Sequence, residues 1–228
     1  MRKLFAGIAA AATLLGGMAL GAASAQADDT PTTVTRDATF TFTAETAEQL
    51  TNAKLKAYKI GDYVQYGSGE NVAYGVVTNS NNKTAVDSAL KAAGVDTTDS
   101  EVDHLAAALN AGTLDVSAAR PWASPEKTRK FANALESEGK LTTVTSFTLG
   151  TPVPVTNGSA DAKCTATATL PAGIYVFIDS AVATGSVTKA IPMIVASGTV
   201  KDKVLTDPVS GANTVNMKNT KNSIKTKT

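Results

Sequence analysis

The sequence predicts a mainly β protein, a sandwich of strands with a helical insertion over about residues 83–138. Three observations point there. Threonine is unusually frequent, 33 of 228 residues, which suits a strand-rich extracellular chain better than a helical one. Residues 34–43 alternate, with Val34, Ala38, Phe40 and Phe42 on one side and Thr35, Asp37, Thr39, Thr41 and Thr43 on the other. The apolar period then changes from two to helical spacing in mid-chain and returns to two. Strands on both sides of one helical stretch, with no sequence repeat and no long linker, argue for one domain rather than two.

The elements follow in chain order. Residues 1–27 read as an export signal. Arg2 and Lys3 precede the apolar run Leu4 to Leu20, and small residues follow at Ala23-Ser24-Ala25 or Ala25-Gln26-Ala27. Its removal implies a secreted or cell-surface protein, and no later apolar run reaches the about 18 residues that span a bilayer. Residues 34–43 have the period of a half-buried strand. Strands continue over 53–66 and 72–78, broken by the turn-forming Gly67-Ser68-Gly69. Ala85, Leu90 and Ala93 then take helical spacing and stop at Gly94. Thr98 and Glu101 stand in capping-box spacing before the stripe Val102, Leu105, Ala106 and Leu109. Ser124-Pro125-Glu126 starts another helix through Phe131, Ala134 and Leu135 to Gly139. Strands return at 141–149, 163–170, 173–180, 187–196, 198–205 and 213–218. The domain is expected to fill 28–220, with a polar tail at 221–228.

Composition narrows the function classes. With 43% hydrophobic and 18% charged residues the chain has the makings of a full core and is not disordered throughout. A net charge of +1 offers no footprint for nucleic acid. One Cys excludes an internal disulfide framework and any multi-cysteine zinc or iron–sulfur site, and one His disfavours His-built metal sites. No metal or other cofactor is expected. Cys164 shares a strand face with Ala166, Ala168 and Leu170 and reads as a small buried hydrophobe. His104, off the Val102/Leu105/Leu109 stripe, reads as a partly exposed helix residue. Spacing leaves a Cys164–His104 dyad open, but no third, orienting group stands out, and the chain is not read as an enzyme. Asp28, Asp29, Asp62, Asp96, Asp99 and Asp103 lack calcium-loop spacing. The glycines near 67–69 lack a phosphate-loop pattern. Trp122, in a loop between helices, is either a core lid or a ligand contact.

The segment Leu170-Pro171-Ala172-Gly173-Ile174-Tyr175-Val176-Phe177-Ile178-Asp179 carries more information. It is a turn feeding a strand, with Tyr175, Phe177 and Asp179 on one face. Such an acid either lies at the wet end of the strand or is buried. A buried acid beside a lysine amine and an asparagine carboxamide has a chemical use. It helps the amine displace ammonia from the carboxamide and leaves a Lys–Asn amide. A bond of that kind would supply the toughness that a single cysteine cannot.

The order of these pieces resembles the N-terminal domain of Gram-positive, sortase-assembled major pilins, the isopeptide-forming fimbrial subunits of actinobacterial and bifidobacterial type. The pieces are the signal peptide, the Thr/Phe strand at 39–43, Leu55-Lys56-Ala57-Tyr58-Lys59-Ile60, and a helical insert with Phe131-Ala132-Asn133-Ala134-Leu135. The Leu-Pro-Ala-Gly-Ile-Tyr strand and the closing Val215-Asn216-Met217-Lys218-Asn219-Thr220 complete the set. The resemblance implies an immunoglobulin-like β-sandwich. It also implies that Asp179 matches the acidic position of the family's E-box, usually Glu. Lys218-Asn219 is similar to the pilin motif, whose lysine accepts the next subunit, with Asn216-Met217 in place of the usual Tyr-Pro. Lys54, Lys56 and Lys59 are candidate amines for an internal isopeptide bond, with Asn213 or Asn216 as carboxamide, and spacing does not choose among them. The alternatives are a turn-facing Asp179 and a solvated Lys218 on an edge strand.

No Leu-Pro-x-Thr-Gly-like signal precedes the final Lys221 to Thr228 stretch, so the expectation is a truncated pilin or a stand-alone secreted relative. The functional expectation is an exported structural fimbrial subunit for surface assembly and adhesion, with other pilin subunits and sortase as partners. The alternative is a secreted monomeric module that binds a host receptor or glycan through loops such as 67–71 and the Trp122 region.

Overall fold

The computed structural model describes residues 30–68, 72–116, 126–155, 164–182, 189–206 and 214–217. The expected export signal, Trp122, Asn213, Lys218 and the polar tail lie outside these residues. The fold is mainly β. Its first sheet has the order β1 (Thr32–Thr33), β3 (Leu55–Tyr66), β7 (Ile174–Asp179), β8 (Met193–Ala196), with β4 (Ala73–Thr78) also paired to β3. All of these pairings are antiparallel. The second sheet has the order β11 (Thr214–Asn216), β2 (Asp37–Ala44), β6 (Cys164–Pro171), β5 (Val153–Pro154). β2 and β6 run antiparallel, whereas β11 lies parallel to β2, Thr214 opposite Thr41 and Asn216 opposite Thr43. A hairpin of β9 (Thr199–Lys201) and β10 (Val204–Thr206) forms a ladder of its own beside β4, with the Tyr74 amide donating to Lys203 O at 2.8 Å. Four helices are described: α1 (Ala47–Thr51), α2 (Lys83–Ala92), α3 (His104–Asn110) and α4 (Glu126–Glu138).

From Asp37 onward the alternation of β2 does what its sequence suggests; Val34, expected on the Phe40 and Phe42 face, precedes the strand and packs on the core beneath the helices instead. Phe40 and Phe42 are fully buried and meet Ala57, Tyr175, Phe177, Met193 and Val195 of the first sheet, together with Ala166, Ala168, Leu170 and Val215 of their own. This is where the two sheets face each other. Phe177 is the hub, edge-on to Phe42 at 5.0 Å and to Phe40 at 5.4 Å, arrangements that suit the ring quadrupoles. The opposite face of the first sheet carries Ile60, Tyr63, Ile174, Val176, Ile178 and Ile194. It packs against Val86 and Leu90 of α2, Leu105 of α3, and Phe131 and Leu135 of α4. The helical insertion is therefore a third layer, and β7, covered on both sides, is buried at every residue.

Helix boundaries follow local chemistry. α2 and α4 are followed by Gly94 and Gly139, whose φ values of 78° and 64° are left-handed conformations that glycine adopts without strain. α3 starts later than the capping-box spacing of Thr98 and Glu101 suggests. Thr98 is tied into a turn by Asp96, its amide and hydroxyl both donating to Asp96 Oδ1, and Asp103 is the N-cap instead. α1, which has no counterpart among the expected elements, carries a complete capping box between Thr46 and Gln49.

Three strand expectations also change. Residues 141–149 form no strand. Val144 donates to Ala57 O and Gly150 to Thr167 O, isolated bonds that build no ladder, while Val144, Phe147 and Leu149 still pack on the inter-sheet core. The single strand expected at 198–205 is a hairpin, because Asp202 and Lys203 turn the chain with φ of 49° and 66°, the signature of a two-residue I′-like turn. Of the strand expected at 187–196, the described part is strand only at Met193–Ala196. Among the described residues no helix is long and apolar enough to cross a membrane.

Candidate functional site

The most chemically suggestive cluster sits on β3, around a one-residue irregularity. Lys59 pairs with Tyr175 across the sheet and Gly61 with Ile174, so Ile60 is the extra residue of a β-bulge. In an unbroken strand residues three apart point to opposite faces. The bulge resets the alternation: Tyr58 and Ile60 face the helices, and so does Tyr63. Lys59 and Asp62 are thereby brought together, with Lys59 Nζ 2.7 Å from Asp62 Oδ1 and both side chains about 85% buried. The other carboxylate oxygen, Asp62 Oδ2, accepts from Asn79 Nδ2 at 2.7 Å.

The surroundings hold this series in place. The Asn79 amide donates to the carbonyl of the bulged residue Ile60 at 3.0 Å, and its side-chain oxygen accepts from the Asn81 amide. Asn82, at the start of α2, uses its side chain to donate to Lys59 O at 2.8 Å and to accept from Thr142 N at 2.7 Å. The aliphatic stem of Lys59 crosses directly over Gly173. A Cβ at that glycine would meet Lys59 Cε and would lie 2.7 Å from Gly61 O. Tyr175 lines the same region. Burial pushes its hydroxyl well above the ordinary tyrosine value, and the negative charges of Asp62 and Asp37 push the same way. An amine, a carboxylate and a carboxamide thus stand in one hydrogen-bonded row, mostly shielded from water. Those are the three groups that amide exchange between a lysine and an asparagine requires.

The expected acid, Asp179, is placed differently. It is 1% exposed, but its oxygens accept from three backbone amides: Lys54 and Ala181 on Oδ1 at 3.0 and 2.9 Å, and Ala190 on Oδ2 at 3.0 Å. It fastens the start of β3, the end of β7 and the approach to β8. The side chains of Lys54 and Lys56 are exposed. Asn216 accepts from the Thr43 hydroxyl at 2.5 Å, a bond that seats β11 on β2. Asp179, Lys59 and Asn216 therefore belong to three separate hydrogen-bonding groups, and Asn213 and Lys218 lie outside the described residues. Of the expected residues, Lys59 alone joins the new cluster. Asp62 and Asn79 were missed because strict alternation separates positions 59 and 62; Gly61 inside a strand is the one local sign of a bulge.

The remaining candidates take plain roles. Cys164 is only partly buried, at the start of β6 beside Ala44 and Pro154. His104 is buried rather than partly exposed, drawn inward by bonds from both ring nitrogens within the helical layer. Among the described residues no group of three or more His, Cys, Asp or Glu side chains is placed to hold a metal ion. An open groove of about 400 Å³ lies between α1 and the 147–152 segment, lined by Leu50, Lys54, Leu55, Phe147, Leu149 and Pro152 among others. Neither a family model nor a curated protein matches this chain.

Proposed function

We propose that the protein is an exported structural subunit, an immunoglobulin-like fimbrial domain for surface assembly and adhesion, stiffened by a bond between its own Lys59 and Asn79. The observation that carries this reading is the Lys59–Asp62–Asn79 row. Asp62 takes a proton from the Lys59 ammonium, and the free amine attacks Asn79 Cγ. The Cγ–Nδ2 bond breaks, the two protons that the Lys59 nitrogen gives up pass by way of Asp62 to the leaving nitrogen, and it departs as ammonium. The product is a Lys59–Asn79 amide, and the atoms balance without oxidant, metal or cofactor. A covalent tie between the bulge of β3 and the turn after β4 would join the first sheet to the helical layer. Two facing sheets in which the first long strand and the last described strand run side by side are in keeping with an immunoglobulin-like arrangement. Other pilin subunits and a sortase are the partners that the resemblance implies, with Lys218 as acceptor.

The test combines two readouts on protein from the native host. The intact mass of the mature chain is expected to fall about 17 Da below the sequence mass, the ammonia lost in amide exchange. A peptide joining residues 59 and 79 should appear on digestion, and Asp62→Ala should restore the full mass. An unshifted mass makes the row an ion pair and removes the crosslink. In parallel, boiled cell-wall fractions probed on a denaturing gel should show a high-mass ladder that Lys218→Arg abolishes. A single monomer band in the medium would instead favour a secreted binding module. The groove beside Phe147 and Leu149 is the observation on that side, and saturable binding of a host glycan or receptor is its test.

A further inference from the structure

His104 begins α3 and is 7% exposed. Its Nδ1 lies 2.9 Å from Asp87 Oδ1 on α2, and its Nε2 lies 2.9 Å from the carbonyl oxygen of Asp99. Both neighbours are acceptors. A neutral imidazole carries one N–H and one bare nitrogen, so in that form one of the two contacts would set lone pair against lone pair. A buried polar contact of that kind is costly. Lys83 donates to the other Asp87 oxygen at 3.1 Å, so that carboxylate receives a donor on each side.

We propose that His104 is held as the doubly protonated imidazolium, and that this ion is a proton-dependent latch joining α2, the 95–103 loop and α3. The groups around it are consistent with a cation. Asp87 faces it from α2, and the Lys83 ammonium, whose like charge opposes a cation there, is held on the far oxygen of that carboxylate. Asp96 faces it from the loop; its carboxyl is held below the usual range first by the Thr98 hydroxyl and amide, and in smaller part by His104 itself. Asp103, the neighbouring residue, is engaged with Thr78 and Ala106. β4 contributes the neutral Thr78. When pH rises and the ring gives up one proton, one of its two bonds is lost. The latch opens on the helical layer, while the inter-sheet core, which contains none of these groups, is unaffected.

The sequence contains one histidine, so the ring nitrogens of the full-length protein give one pair of signals. Two-bond proton–nitrogen spectra of ¹⁵N-histidine-labelled wild type at neutral pH should show two protonated nitrogens. As the ring deprotonates, amide exchange in α3, corrected for base catalysis, should accelerate roughly tenfold, the size of one lost bond to a charged partner. Exchange in the β2–β6 ladder should not follow. A bare nitrogen at neutral pH overturns the proposal, and so does α3 exchange that ignores the ring's titration or moves together with the ladder.

Discussion

Gly173 shows how much one missing side chain decides. It stands where Lys59 must cross to reach Asp62, and 2.7 Å separates its would-be Cβ from Gly61 O, a backbone atom that cannot swing aside. Gly173→Ala is expected to lower stability by about 1–3 kcal/mol, the usual cost of forcing atoms into a packed site. It should also displace Lys59 from Asp62. Thermal unfolding measures the first effect. The second would appear as loss of the mass deficit in any protein that still folds, and a variant with wild-type stability would show that the Gly173 region yields more readily than the geometry implies. Legibility was uneven at this scale. The segment Leu170 to Asp179 stood out in the sequence, and Lys59 was among its candidate partners. What the sequence hid was which carboxylate Lys59 meets, because that depends on a bulge, and a bulge is set by the pairing of two strands rather than by either one alone.

At the scale of elements, α3 illustrates a competition between two start signals. Thr98 and Glu101 have the spacing of a capping box, yet Asp103 prevails because it does two jobs. Its Oδ1 accepts from the Ala106 amide at 3.0 Å and the Thr78 hydroxyl at 2.8 Å, while Oδ2 accepts from the Thr78 amide at 2.7 Å. One side chain thus caps the helix and fixes it to the end of β4. Asp103→Ala is expected to cost about 1–2 kcal/mol for the cap, and about 1–3 kcal/mol more for leaving the buried Thr78 without its acceptor. Chemical denaturation gives the total. A loss below about 1 kcal/mol would mean that water or a neighbour replaces the carboxylate. The winning signal was illegible because it lies 25 residues away in sequence. By contrast, the start of β3 and the ends of α2 and α4 were legible, since alternation and terminal glycines act locally, whereas β2 begins at Asp37, three residues after its expected start.

For the whole molecule, the balance of strands and helices and the place of the insertion could be read from the change of apolar period. The layering could not. Helices at 83–138 could have hung beside a two-layer sandwich, and only their contact with Ile60, Ile174 and Val176 makes them a third layer. One hint was present: Ile174 to Ile178 is a continuous apolar run rather than an alternating one, the mark of a strand covered on both faces. The two-residue turn at Asp202-Lys203 gave no such hint, having neither glycine nor asparagine.

The parallel contact between β11 and β2 has a mechanical consequence. Tension applied before β2 and after β11 draws the two strands in opposite directions along their length. Their cross-strand bonds, with the Met217 amide on Thr43 O at 2.7 Å and the Thr43–Asn216 bond beside them, are then sheared together instead of unzipped one by one. Forced unfolding follows the barrier rather than the equilibrium stability. Single-molecule pulling through the two chain ends should therefore meet a higher rupture force than pulling the adjacent ends of β2 and β6 apart, and equal forces in the two geometries would remove β11 as the clamp. Under load along that line the fold would resist through the three residues of β11.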